Sequence, residues 1–273
     1  MRTLVIHLGG IGDFLLSCPT LSALRACGPI ELLGNRERLE VAVDGGLADA
    51  AHDADACEFG TLFSTPSPRL RRLLARFDRC IAWLRPDDAL LNAIRDCAVA
   101  QIHAHPGLPP ADWARHASAY YLDCLDLEDP GPPRLSFQNS KDTADLDVVI
   151  QPGSGGPHKN WPLDNFRAVA DELTRRGRRV VWCTGPAEDQ MRELQPSLPL
   201  MPLASLGRTL ARARLYVGND SGITHLAAAA GCPTLAIFGP TNPAVWAPRG
   251  ENVSVIQGKD GFPTAQEVLV RPL

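Results

Sequence analysis

The sequence predicts an α/β protein with parallel sheets and helices on both faces. Short apolar runs that end in glycine alternate with longer amphipathic segments. The alternation stops at the Pro-rich, polar stretch "EDPGPPRLSFQNSKDTADLD" (Glu128 to Asp147) and then restarts. Two Rossmann-like domains are therefore expected: 1–138, a linker over 139–147, and 148–273. A chain of 273 residues, 45% hydrophobic and 21% charged, carries enough apolar material for two cores and excludes a disordered protein.

In chain order, "TLVIHL" reads as a buried strand and residues 13–26 as a helix. "IELLG", "RCIAWL" and "VAQIHAH" read as further strands with helices between them, and "ADWARHASAYYLDCLDL" as one long helix. After the linker come "DVVIQPG" (strand), "PLDNFRAVADELTRRG" (helix), "RRVVWCTG" (strand) and "AEDQMREL" (helix). "LPLMPLASL" reads as a short strand and loop, and "LGRTLARAR" as a helix. "LYVGND", "GITHLAAAAG", "TLAIFG" and "NVSVIQ" read as strand, helix, strand, strand.

A net charge of -4 gives no support for nucleic-acid binding. The halves differ: residues 1–140 hold 13 Arg and no Lys against 18 acids, and residues 141–273 hold 14 bases against 13 acids. An anionic small ligand suits the second half better. None of the eight cysteines falls in a CxxC pair or at zinc-finger spacing, so they read as free thiols of a cytoplasmic protein. The opening residues do not read as a signal peptide and no apolar run reaches membrane-spanning length, so any membrane contact is expected to be peripheral.

Five glycine turns follow strands, and ligands in such sheets bind beyond the strands' carboxyl ends. In "QPGSGGPHKNWP" (Gln151 to Pro162), Gly153, Ser154, Gly155 and Gly156 precede Lys159 just before a helix. Backbone N–H groups and a compact positive charge in that position suit a phosphate. The spacing is not that of a Walker A loop. In "YVGNDSGITHLAAAAG" (Tyr216 to Gly231), Asp220 either caps the helix or accepts hydrogen bonds from sugar hydroxyls. Ser221 and Gly222 put backbone donors at the helix start, and His225 lies one turn on, as a phosphate donor or a core histidine. In "TGPAEDQ", Glu188 is either a ribose acceptor or a first-turn helix acid. "FGPTNP" reads most simply as a turn. In "GGIGD" (Gly9 to Asp13), an aspartate follows a glycine turn, where a helix N-cap is the plain explanation.

Together, "GGIGDFLLSCPTLSALR", "PGSGGPHKNWPLDNFRAVADEL", "GPAED" and "GNDSGITHLAAAAGCPTLAIFGPTNP" resemble glycosyltransferase family 9, the ADP-heptose:lipopolysaccharide heptosyltransferases and their relatives. The resemblance covers most of residues 1–26 and 148–246 and is loose over 27–147. It implies a GT-B fold, two Rossmann-like domains facing a cleft, with an ADP-sugar donor in the C-terminal domain and an anionic glycolipid or other glycan acceptor in the N-terminal one. By position, Gly12, Ser154 and Lys159 would meet the donor and its diphosphate, and Glu188, or its neighbour Asp189, the nucleoside. Asp220, Ser221, Gly222 and His225 match the donor-sugar and phosphate motif, and Asp13 would be the general base of an inverting transfer. No metal or other cofactor is implied. The chain is short for the family, mostly in its N-terminal half, which leaves the acceptor and the donor sugar open.

"RLRRLLARFDR" is expected to be an amphipathic helix, with Arg69, Arg72, Arg76 and Arg79 on one face. That face is either simply solvated or a dock for an anionic glycolipid or the inner-membrane surface. Two rival functions remain at this level. One is a non-catalytic nucleotide-sugar binder of the same fold. The other is an NAD-dependent oxidoreductase, for which Gly10-x-Gly12 followed by Leu15 is a poor dinucleotide fingerprint.

Overall fold

A computed structural model describes residues 1–137, 146–185, 191, 193–259 and 261–271. The chain forms two compact units, Met1–Ser136 and Phe137–Leu273. Each is built on a five-stranded sheet, and every strand pair within them is parallel.

In the N-terminal unit the strands are β1 (Thr3–His7), β2 (Ile30–Gly34), β3 (Ala50–Asp53), β4 (Arg79–Trp83) and β5 (Gln101–His105), in the order β3-β2-β1-β4-β5. The helices are α1 (Ile11–Leu24), α2 (Arg36–Asp44), α3 (Pro68–Leu74), α4 (Asp88–Arg95) and α5 (Ala117–Asp123). The strand order reverses between β1 and β4, the crevice where open α/β sheets take ligands. β1 is buried along its whole length. Its Leu4 and Ile6 enter a core with Leu70, Leu74, Phe77 and Ile94, while Thr3, Val5 and His7 face the other way.

Two sequence expectations change here. β3, reading "AAHD", has too few apolar residues to be legible as a strand. The long helix expected over "ADWARHASAYYLDCLDL" shrinks to α5, because the His116 side chain accepts the Ser118 N–H and starts the helix there.

The expected arginine face forms only in part: Arg69 and Arg72 are exposed on α3 opposite buried Leu70, Leu73 and Leu74, while Arg76 and Arg79 lie beyond the helix. α3 ends at Leu74 and Arg79 already belongs to β4. The Arg79 guanidinium donates to the Thr3 hydroxyl, and Arg71 donates to the carbonyls of Pro66 and Asp96. Arg76 and Arg2 both donate to Glu31, at 3.1 and 3.0 Å, and His52 lies 2.7 Å from the same carboxylate. Burial works to raise the Glu31 carboxyl, but the hydrogen bonds from His52 and Arg2 and the charge of Arg76 outweigh it and hold the group below its usual range. Arg2, Arg76 and Arg79 thus hold the amino ends of β1, β2 and β4 together.

In the C-terminal unit the strands are β6 (Leu146–Gln151), β7 (Val180–Trp182), β8 (Ala213–Asn219), β9 (Thr234–Phe238) and β10 (Val253–Gln257), in the order β10-β9-β8-β6-β7. The helices are α6 (Leu163–Arg175), α7 (Leu203–Leu210), α8 (Gly222–Ala229), α9 (Pro243–Trp246) and α10 (Ala265–Leu269). The order reverses between β6 and β8, so the ends of those two strands flank this unit's crevice. Val148, Ile150, Trp161, Phe166, Val217 and Ile237 form the core.

Leu146 and Asp147, assigned to the linker from sequence, open β6; residues 139–145 of that linker lie outside the described residues. The strand expected in "LPLMPLASL" reduces to a single bridge between Trp182 and Ser197. The helix expected over "AEDQMREL" falls mostly on residues outside those described. None of the eight cysteines is in a disulfide and five are buried, and burial raises the Cys80 and Cys232 thiols to about 12. None of the described helices is long and apolar enough to cross a membrane.

Candidate functional site

The carboxyl ends of β6 and β8 carry polar residues that the core cannot leave unpaired. Gln151 ends β6 and is buried; its Oε1 accepts from the Tyr216 hydroxyl at 2.9 Å and the Ser221 hydroxyl at 2.8 Å. The Ser221 oxygen in turn accepts the Thr224 N–H at 3.3 Å, which makes Ser221 the N-cap of α8. The Thr224 hydroxyl donates to the Asn219 carbonyl at 2.5 Å. A closed net of hydroxyls thus pins the first turn of α8 to the end of β6. In an α-helix the first N–H groups have no partner inside the helix, so the Gly222 and Ile223 amides face the crevice end with the positive pole of the helix.

Asn219, the last residue of β8, is fully buried and has both ends of its carboxamide occupied. Its Nδ2 donates to the Pro152 carbonyl at 2.7 Å, and its Oδ1 accepts the Trp161 N–H at 2.9 Å. One side chain therefore ties both stems of the glycine loop that carries Lys159. Trp161 is buried as well, and its indole N–H donates to the Pro263 carbonyl at 2.7 Å.

Within that loop, the Ser154 hydroxyl lies 2.7 Å from the Gly156 carbonyl and 2.6 Å from Asn160 Oδ1, so it braces the loop from inside. A Cβ on Gly155 would meet nothing within 4 Å, which leaves its backbone open to an approaching ligand. Lys159 reaches back to Asp220, with Nζ 2.9 Å from Oδ2. Asp220 is buried, and the Thr241 hydroxyl donates to the same Oδ2 at 2.8 Å. Asp220 is not the helix cap, because Ser221 holds that place. His225 is buried on the first turn of α8, its N–H donating to the Ser221 carbonyl at 3.2 Å. The structure thus brings Ser154, Lys159, Asp220, Ser221, Gly222 and His225 around one crevice. Glu188 and Asp189 lie outside the described residues.

In the N-terminal unit, "GGIGD" runs from the end of β1 into α1, with Gly12 and Asp13 in the first helical turn. Asp13 is partly exposed, and its Oδ2 accepts the Gly10 N–H at 3.2 Å. Asp13 is therefore not the N-cap read from sequence: Gly10 holds that place, and Asp13, three residues on, bonds back to its N–H with the carboxylate still partly exposed.

Gly9 is required by its surroundings: a Cβ there would sit 2.9 Å from His7 Cε1 and 3.4 Å from Asp13 Oδ2. His7 is buried, and among the described residues neither of its ring nitrogens has a hydrogen-bond partner. Burial, reinforced by the charge of Arg38, lowers its pKa to about 4, so the ring beside Asp13 is neutral at pH 7. Arg38 donates to the Gly9 carbonyl at 2.9 Å and holds the turn from outside. The Tyr121 phenol is raised above its usual range by burial and then by the charge of Asp13.

Sequence reasoning missed Gln151, Asn219, Thr241 and His7. A signal existed for the first two, since each is a polar residue ending an apolar strand. Thr241 lies in the turn read as plain. Among the described residues no cluster of three or more metal-ligating side chains occurs.

Comparison with known proteins places these residues in a wider group. A family model described as "Glycosyltransferase family 9 (heptosyltransferase)" matches residues 128–267. The chain is 35% identical over 173 residues to lipopolysaccharide heptosyltransferase 1 of Pseudomonas aeruginosa, covering 57% of this chain and 48% of that protein. It is 34% identical over 118 residues to lipopolysaccharide heptosyltransferase 3 of Escherichia coli K12, covering 39% and 34%. The matched part thus spans about half or less of these curated relatives. Among solved structures, E. coli ADP-heptose lipopolysaccharide heptosyltransferase II superposes with a TM-score of 0.77 at 20% identity, over 98% of this chain and 96% of that one. An E. coli heptosyltransferase with ADP gives 0.75 at 18% identity, over 98% of both chains. These likenesses bear on the fold, and they extend through both units.

Asn219→Asp keeps the acceptor for Trp161 but loses the donor to Pro152 and adds a buried charge. Denaturant unfolding should show a loss of about 3 kcal/mol or more; an unchanged midpoint would contradict the tie. His7 gives a pH test. A histidine whose folded pKa is lowered from 6.5 to about 4 favours the folded state above pH 6.5, and that advantage is lost as pH falls toward 4. The loss should approach ~3 kcal/mol in wild type and shrink in His7→Phe when stability is measured across that range.

Proposed function

Because the chain belongs to glycosyltransferase family 9, whose model matches just over half of its residues, we propose that it is an inverting glycosyltransferase. It transfers heptose, or a similar sugar, from an ADP-sugar to a lipopolysaccharide-core or related glycan acceptor. The observation that carries the donor assignment is the convergence of Lys159, Asp220 and the first turn of α8 at the crevice of the C-terminal unit.

In this reading the diphosphate lies against the Gly222 and Ile223 amides and takes the Lys159 ammonium, while Asp220 accepts hydrogen bonds from the donor sugar. His225, on the same helical turn, faces the phosphate. The nucleoside contact falls to Glu188 or Asp189. Asp13 takes the proton from an acceptor hydroxyl as that oxygen attacks the anomeric carbon. The bond from that carbon to the phosphate oxygen breaks, and ADP departs with the electron pair. Lys159 and the helix terminus stabilise the charge that develops on it, and the proposal invokes no metal.

The N-terminal unit receives the acceptor in this assignment. Asp13 has a partly exposed carboxylate next to a neutral ring, so no adjacent imidazolium competes for its charge. An anionic glycolipid acceptor would bring the protein to the cytoplasmic face of the inner membrane as a peripheral protein.

Calorimetric titration with ADP, UDP, GDP and NAD tests the donor half. ADP should bind selectively, and Lys159→Ala should weaken it at least ~10-fold. Asp13→Asn should bind ADP as wild type does, yet transfer sugar from ADP-heptose ~100-fold to 10,000-fold more slowly. Failure to bind any of the four nucleotides would sink the donor site. Donor binding by wild type without turnover would leave a non-catalytic binder.

A further inference from the structure

The turn "FGPTNP" reaches the donor crevice in a way that neither the motif nor the family likeness assigns. Thr241 donates its hydroxyl to Asp220 Oδ2 at 2.8 Å, and Lys159 Nζ lies 2.9 Å from that same oxygen. Among the described residues these are the two partners of a carboxylate that is only 6% exposed.

The turn that carries Thr241 is itself fixed. Gln257, at the end of β10, donates through Nε2 to the Gly239 carbonyl at 2.7 Å and to the Thr241 carbonyl at 3.1 Å. The Phe262 ring packs where a Cβ on Gly239 would sit, so the turn has no room to shift toward it.

We infer that Thr241 is a positioning residue for donor binding: it keeps Asp220 satisfied while Lys159 transfers from that carboxylate to the diphosphate. This rests on the donor site proposed above. A lysine already paired to a buried carboxylate is a poor ligand for an anion unless the carboxylate can spare it. Stripping the sole donor from a buried charge is costly. With Thr241 in place, Oδ2 retains a hydrogen bond when Lys159 departs, and the carboxylate stays held for the donor sugar's hydroxyls. Without that hydroxyl, Lys159 is the remaining partner of Asp220, and the diphosphate must compete for it.

The test is calorimetric titration of ADP into wild type, Thr241→Val, Thr241→Ser, Asp220→Asn and the double variant Asp220→Asn/Thr241→Val. Thr241→Val should weaken ADP binding by about tenfold, and Thr241→Ser should restore it to within about twofold. In the Asp220→Asn background no charge needs holding, so adding Thr241→Val should change ADP affinity little. Wild-type affinity in Thr241→Val would overturn the inference. So would an equal loss in the Asp220→Asn background, since that would make Thr241 a mere support for the turn. Wild type that fails to bind ADP would overturn the donor site itself, and this role with it.

Discussion

The C-terminal unit depends on one buried carboxamide. Asn219 donates to one stem of the glycine loop and accepts from the other, and it does so from the end of the central strand β8. Pro152 and Trp161 stand nine residues apart in the chain, yet this side chain fixes the distance between them. The loop can then be rich in glycine without being free to wander, and Lys159 is delivered to one place. The next residue is Asp220, which receives that lysine. Position 219 thus sets the loop while position 220 sets its charge.

Electrostatics follow the same economy in both units. The crevice of the C-terminal unit combines a helix N-terminus with a lysine whose charge is balanced by a buried aspartate. In the N-terminal unit the acid sits on the first turn of α1 and accepts a backbone N–H. The neighbouring imidazole is held neutral by burial. The proposed base and the proposed diphosphate site both sit where a strand turns into a helix, with different residues at the tip.

Much of this was legible in the sequence, and the reasons differ by element. The strands around the crevices are continuous apolar runs ending in glycine or a polar residue, which is how a fully buried parallel strand reads. Lys159, Asp220 and Asp13 stood out because charged residues beside glycine turns are conspicuous. What escaped was contact at a distance. Nothing near Thr241 in sequence announces a bond to Asp220, and nothing near Asn219 announces a tie to Pro152. The arginine stretch misled for a related reason. Helical spacing put Arg76 and Arg79 on one face, but Phe77 and Cys80 pull the chain into the core and into β4 after α3 has ended. Burial of those two residues outweighed the helical pattern.

The most direct test of the central claim is a crystal structure of the protein with ADP bound. The account predicts diphosphate oxygens within hydrogen-bond distance of Lys159 Nζ and of the backbone N–H groups that open α8, with Lys159 drawn off Asp220 and Asn219 still tying Pro152 to Trp161. A nucleotide bound elsewhere, or bound there with Lys159 still on Asp220, would contradict it.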